Sequence, residues 1–142
     1  LQMYFTDKRE IYLPKLFALG LSEIPLCDDI EVISTEGGFP VDGETYIIYH
    51  FNKDSAKCIM EQLESSTVWK PLQDGDYFRI ADRMKSVKNG FGYYENLDHT
   101  QEIYDRFDPV QNEKIGGKWP REFEIGVFDM DNYIMYYYKW VV

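Results

Sequence analysis

The sequence predicts an α+β fold, an antiparallel β-sheet with one or two helices packed on one face, and three observations carry that expectation. Aromatic residues make up 17% of the 142 positions, with 12 Tyr, 9 Phe and 3 Trp, and such side chains suit the pleated, half-buried surface of a strand. Residues 54–65 place Ala56, Ile59, Met60 and Leu63 at i, i+3, i+4 and i+7, opposite Lys57, Glu61, Gln62 and Glu64, the stripe of an amphipathic helix. Two extended runs, 122–128 and 133–140, flank Asp129-Met130-Asp131-Asn132, which reads as a hairpin.

The remaining elements follow in chain order. Residues 9–21 put Ile11, Tyr12, Leu16, Phe17 and Leu19 in an amphipathic pattern, with Thr6 or Asp7 as cap, Gly20 as stop and Pro14 near a helix start. Residues 30–35 read as a strand with Ile30, Val32 and Ser34 on one side and Glu31, Ile33 and Thr35 on the other. The Asp42-Gly43 pair then signals a hairpin turn into a second strand, 44–51, apolar enough for burial on both faces. Asn52 or Asp54 caps the helix that follows. Asp74-Gly75-Asp76 is a further turn, and residues 77–88 fit a helix as well as an irregular strand. Asn89-Gly90 turns the chain into a sheet segment at Phe91-Gly92-Tyr93-Tyr94. Residues 96–118 form a polar excursion, with a helical turn expected within 100–107. No repeat, low-complexity tract or linker divides the chain, so residues 1–142 are read as one domain, with residues 1–8 as the remnant of an upstream anchor or stalk.

Charge narrows the function classes. The formal net charge is −10, and with Lys and Arg spread along the chain there is no basic face to drive counterion release from a phosphate backbone. No nucleic-acid partner is therefore expected. Cys27 and Cys58 match neither a zinc-ligand spacing nor a redox pair; they are either free thiols or one disulfide.

Three pieces of sequence, Gly37-Gly38-Phe39-x-x-Asp42-Gly43-Glu44-Thr45-Tyr46, Trp69-Lys70-Pro71-Leu72 and Phe123-Glu124-Ile125-Gly126-Val127-Phe128-Asp129-x-Asp131 running on to Tyr136-Tyr137-Tyr138, together resemble a family of small bacterial proteins of unassigned function. Members usually carry His-Gly between the Phe and the Asp of the first piece, where this chain has Pro40-Val41. The resemblance implies a fold and an extracytoplasmic placement behind a membrane anchor, and no activity.

The candidate chemistry is sparse. Gly37, Gly38, Phe39, Asp42 and Gly43 form a candidate loop site that could offer backbone N–H groups to an anion, although a strand rather than a helix follows and a tight turn accounts for the glycines. Asp129-Met130-Asp131-Asn132 alternates acids like a calcium loop, but the sixth and twelfth positions are Ile134 and Trp140 rather than Gly and Glu. His50 and Cys58 could pair as base and nucleophile, against the simpler reading of a packed histidine and an inert thiol. No pattern for a metal, nucleotide or other cofactor is present, so none is expected. The last strand is aromatic on both faces, and Tyr133, Met135, Tyr137 and Lys139 are the candidate interaction surface, weighed against ordinary cross-strand packing. The leading expectation is a non-catalytic binding or interaction module, membrane-anchored outside the cytoplasm. The alternatives are a cytoplasmic immunity-type inhibitor that masks a basic toxin and an enzyme of unassigned chemistry.

Overall fold

A computed structural model of the chain describes residues 8–35, 43–74, 79–97 and 122–141. It contains one six-stranded antiparallel sheet in the order β1-β2-β6-β5-β4-β3, with helices against it: the α+β class expected. The strands are β1 (Asp29–Thr35), β2 (Gly43–His50), β3 (Lys70–Pro71), β4 (Gly90–Asn96), β5 (Glu122–Asp129) and β6 (Ile134–Val141). The helices are α1 (Lys8–Tyr12), a 3₁₀ helix over Leu13–Leu19, α2 (Lys53–Glu64) and α3 (Asp82–Lys85). The expectations for residues 1–7, for the loop positions Gly37, Gly38, Phe39 and Asp42, for the turn at Gly75-Asp76 and for most of the polar excursion lie outside the described residues.

Proline shapes the first helix. Pro14 has no N–H and its ring crowds the preceding turn, so α1 stops at Tyr12 and the chain tightens into the 3₁₀ helix that contains the proline. Gly20 ends it in the left-handed region at φ 85°, its N–H donating to the carbonyl of Phe17, as the sequence indicates. Of the apolar residues assigned to this segment, Leu16 and Leu19 enter the core while Ile11, in α1, and Phe17, in the 3₁₀ helix, stay exposed.

β1 and β2 pair antiparallel as expected, with one correction to the register. Ile30 faces Tyr49 and Val32 faces Ile47, but the register shifts between Val32 and Ser34. Ile33 is the extra residue of this bulge, and alternation resumes with Ser34 on the Glu31 side rather than beside Ile30 and Val32. Ser34 Oγ there donates to Glu44 Oε1 at 3.2 Å. The outer edge of β1 is also blunted at its start, where Lys8 Nζ donates to the carbonyl of Ile30.

The sheet buries both faces of its centre. Tyr46, Ile47, Ile48 and Tyr49 in β2 are all buried, as their near-continuous apolar character requires. One face carries Ile30, Ile47, Tyr49, Tyr93, Phe128, Met135 and Tyr137 and packs against Leu16, Leu19, Trp69 and the α2 residues Ala56, Ile59 and Leu63. Asn52 caps α2 by accepting from the N–H of Ser55 at 2.8 Å. The other face carries Tyr46, Ile48, Phe123, Ile125, Val127, Tyr136 and Tyr138, with Met84 of α3 and Val87 packed into it. The helices thus occupy both faces rather than one, because residues 79–88 resolve into a short helix that crosses to the opposite side. Gly126 lies beneath Trp69, where an added Cβ would stand 2.5 Å from the indole ring.

Candidate functional site

The reactive side chains are largely engaged by one another. Tyr137 Oη donates to the buried carboxylate of Glu124 at 2.5 Å and Tyr93 Oη to Glu95 at 2.5 Å. Glu95 and Glu124 are direct cross-strand partners, so each tyrosine hydroxyl serves one of two neighbouring like charges. Tyr138 Oη pairs with Glu44 at 2.7 Å in the same way. Burial, reinforced by the adjoining carboxylate, holds the phenols of Tyr93, Tyr137 and Tyr138 protonated well above the ordinary tyrosine range.

His50 and Glu31 form a second network. His50 Nε2 lies 2.7 Å and Arg83 Nη2 2.8 Å from the same Glu31 oxygen, which ties α3 to the edge strand across β2. The hydrogen bonds from Arg83 and His50 lower the carboxyl pKa of Glu31 below its ordinary value. His50 Nε2 is engaged with Glu31, and the Cys58 sulfur contacts Gln62 Nε2. Both cysteines are free thiols. Burial raises the Cys27 pKa to about 11, despite hydrogen bonds from its sulfur to the carbonyls of Asp29 and His50. The acids after β5 form a turn: Asp129 Oδ1 accepts from the N–H groups of Asp131 and Asn132, which accounts for them without a cation. Among the described residues no group of three or more His, Cys, Asp or Glu is placed to hold a metal. Nor is any described helix long and apolar enough to cross a membrane.

A different arrangement stands beside β3. The chain leaves β3 through Leu72, whose N–H donates to the Gly90 carbonyl at 2.9 Å, and the segment that carries α3 returns alongside. Between them lies a cleft of about 500 Å³ lined by Leu72, Gln73, Asp74, Arg79, Lys85, Val87 and Lys88. Arg79 fixes its walls: Nη1 donates to the carbonyl of Val87 at 2.6 Å and Nη2 to that of Gln73 at 2.7 Å. A planar guanidinium held by two carbonyls is a positioned charge rather than a mobile one. Met84 and Val87 anchor α3 into the sheet, while Lys85 and Lys88 are exposed.

Three basic residues line the cleft together with Asp74, while Arg83 pairs with Glu31. Residues 79–88 contain Arg79, Arg83, Lys85 and Lys88, four of the chain's 15 Lys and Arg, beside one acid, Asp82, of its 25 Asp and Glu. Whole-chain charge hides this segment, and its ambiguous periodicity gave no reason to weigh it separately.

The candidate interaction surface on β6 is also corrected. Met135 is fully buried and Tyr137 is 4% exposed, because the 3₁₀ helix, α2 and Trp69 pack against the face they share; Tyr133 packs against the same cluster. Lys139 lies at the margin, 3.7 Å from Glu122. Met135 and Tyr137 are core and cross-strand packing rather than an open surface, while Tyr133 and Lys139 are half-buried. Gly43, at the start of β2, pairs with Val141. No protein-family profile matches the chain, and no curated protein or solved structure matches it either.

Proposed function

We propose that the chain is a non-catalytic binding module that receives an anionic group of its ligand in the cleft between β3 and α3. The observation that carries this reading is the cleft itself, where exposed Lys85 and Lys88 stand with Arg79 and Asp74 on a chain of net charge −10. The remaining described groups with catalytic potential support it from the other side. Glu31, Glu44, Glu95 and Glu124 are hydrogen-bonded within the domain, and the Cys27 thiol is held protonated. In this reading the motifs that resemble the small bacterial family serve the scaffold. Glu44-Thr45-Tyr46 lies in β2, Trp69-Lys70-Pro71-Leu72 forms β3 with its flanks, and the last piece is the β5–β6 hairpin.

Calorimetric titration with a Glu-rich and a Lys-rich decapeptide tests the reading at low salt, where local charge is least screened. The Glu-rich peptide is expected to bind the wild type, and to lose binding in the Lys85→Glu/Lys88→Glu variant while its fold is retained by circular dichroism. Binding of the Lys-rich peptide alone would overturn the reading in favour of an acidic surface that masks a basic partner.

A further inference from the structure

We propose that Asn89 is a modification site, where the chain converts its own asparagine to an acid and so unties β4 from the turn between β5 and β6. Asparagine occurs at Asn52, Asn89, Asn96, Asn112 and Asn132, and only Asn89 precedes a glycine. A glycine has no Cβ to hinder its backbone nitrogen from approaching the preceding side chain. Asparagine is thermolabile, and before glycine it is lost most readily.

The fold requires this pair and leaves it open to reaction. A Cβ at position 90 would overlap the carbonyl of Phe128, so no other residue fits there without moving β5. Gly90 pairs with Asp129, and the N–H of Met130 donates to the Asn89 carbonyl at 3.0 Å. This is the wide pairing of an antiparallel ladder, in which Gly90 turns its own N–H and carbonyl away from β5. The carbonyl accepts from Leu72 at 2.9 Å, while among the described residues no acceptor takes the N–H. Asn89 itself is exposed, so its side chain meets no packed wall.

The reaction needs only water. The Gly90 nitrogen gives up its proton and attacks Asn89 Cγ. The new N–Cγ bond closes a cyclic imide, and the Cγ–Nδ2 bond breaks with release of ammonia. Water then opens the imide at Cγ to leave aspartate, or at the main-chain carbonyl carbon to leave isoaspartate. The isoaspartate backbone runs through the former side chain and is one methylene longer.

Both products break the same joint. Asn89 Nδ2 donates to Asp131 Oδ2 at 2.9 Å, an amide-to-carboxylate bond that ties the start of β4 to the hairpin turn. An acid in place of the amide sets two carboxylates against each other with no donor between them. The longer isoaspartate backbone also displaces the residue 89 carbonyl from the N–H of Met130.

Peptide mapping by mass spectrometry tests the proposal on the folded full chain, held at physiological temperature in mildly acidic and in mildly alkaline buffer. The peptide containing Asn89 should gain the mass of an amide-to-acid change, and faster in the alkaline buffer, where the attacking nitrogen loses its proton more readily. Peptides containing Asn52 and Asn132 should stay unchanged over the same period. Asn89→Asp should lower the melting temperature. Adding Asp131→Asn to it should recover much of the loss, because donor and acceptor are then exchanged across the same joint. Conversion of Asn89 in urea but not in the folded chain would mean that the fold protects the pair, and would overturn the site. Equal conversion at Asn52 and Asn132 would overturn it as well. An unchanged melting temperature in Asn89→Asp, or no recovery with Asp131→Asn, would overturn the untying of the turn. None of these readouts involves the cleft, so they stand or fall apart from decapeptide binding.

Discussion

The two faces of the central strands are built from similar residues and differ in what closes them. One is covered by the 3₁₀ helix, by a twelve-residue helix capped at Asn52 and by Trp69, whose indole N–H donates to the Leu19 carbonyl at 2.7 Å. The other receives the four-residue α3, which inserts Met84, is followed by the buried Val87 and is tied down by the Arg83–Glu31 ion pair. A long amphipathic helix spends its inner face on the core and leaves its outer face generic. A short element anchored at two points leaves the rest of its side chains free to form a site. The cleft stands beside this short element.

The strongest way to break this comparison is to hollow out each face in turn. Ile59 and Met84 are both fully buried, and replacing either by Ala is expected to cost about 2–5 kcal/mol in urea unfolding. Only Met84→Ala should also weaken binding of the Glu-rich decapeptide, because it loosens the element that carries Lys85 and leads to Lys88. Equal loss of binding in Ile59→Ala would mean that the two faces are not functionally distinct.

Overpacking the first face comes next. An added Cβ at Gly126 would stand 2.5 Å from one ring atom of Trp69 and 3.0 Å from another, and 3.0 Å from Leu19. The ring cannot swing aside without giving up its hydrogen bond to the Leu19 carbonyl. Gly126→Ala should therefore cost about 1–3 kcal/mol, read as a lower midpoint with an unchanged slope, and leave the cleft intact.

These contrasts separate what the residues reveal in order from what they reveal only in space. The α2 stripe, the Asn52 cap, the Gly20 stop, the doubly buried β2 and the β5–β6 hairpin each follow from local periodicity and turn chemistry, and all appear in the structure. The β1 bulge does not, because nothing within β1 itself distinguishes Ile33 from a strand residue with one exposed face; the register with β2 decides it. Tyr137 reads as an interface residue from composition alone, since the layer that covers it comes from residues 13–19, 53–64 and 69. The cleft needed two segments, 72–74 and 79–88, to be brought together, and Arg79 contributes through backbone carbonyls that no side-chain motif encodes.

The smallest expected effect sharpens the picture at high pH. Burial raises the phenol pKa values of Tyr46, Tyr49, Tyr93, Tyr136, Tyr137 and Tyr138, with Tyr46 pushed up to about 12. These groups keep their protons in the folded state at pH values where the unfolded chain, titrating near 10, has begun to lose them. Their contribution is full below pH 10 and declines as pH rises further, so stability should fall there. Ultraviolet titration should find these six ionising at higher pH in the folded protein than in the unfolded chain. Ionisation of all twelve tyrosines near pH 10 without unfolding would contradict the double burial of the sheet.

The most direct test of the central claim, that the α3 side is the binding face and the β6 face under α2 is core, is amide chemical-shift mapping during a titration with the Glu-rich decapeptide. The account predicts saturable shifts at residues 72–74 and 79–88, with Tyr133, Met135, Tyr137 and Lys139 unmoved. Shifts centred on β6, or none at the cleft, would contradict it.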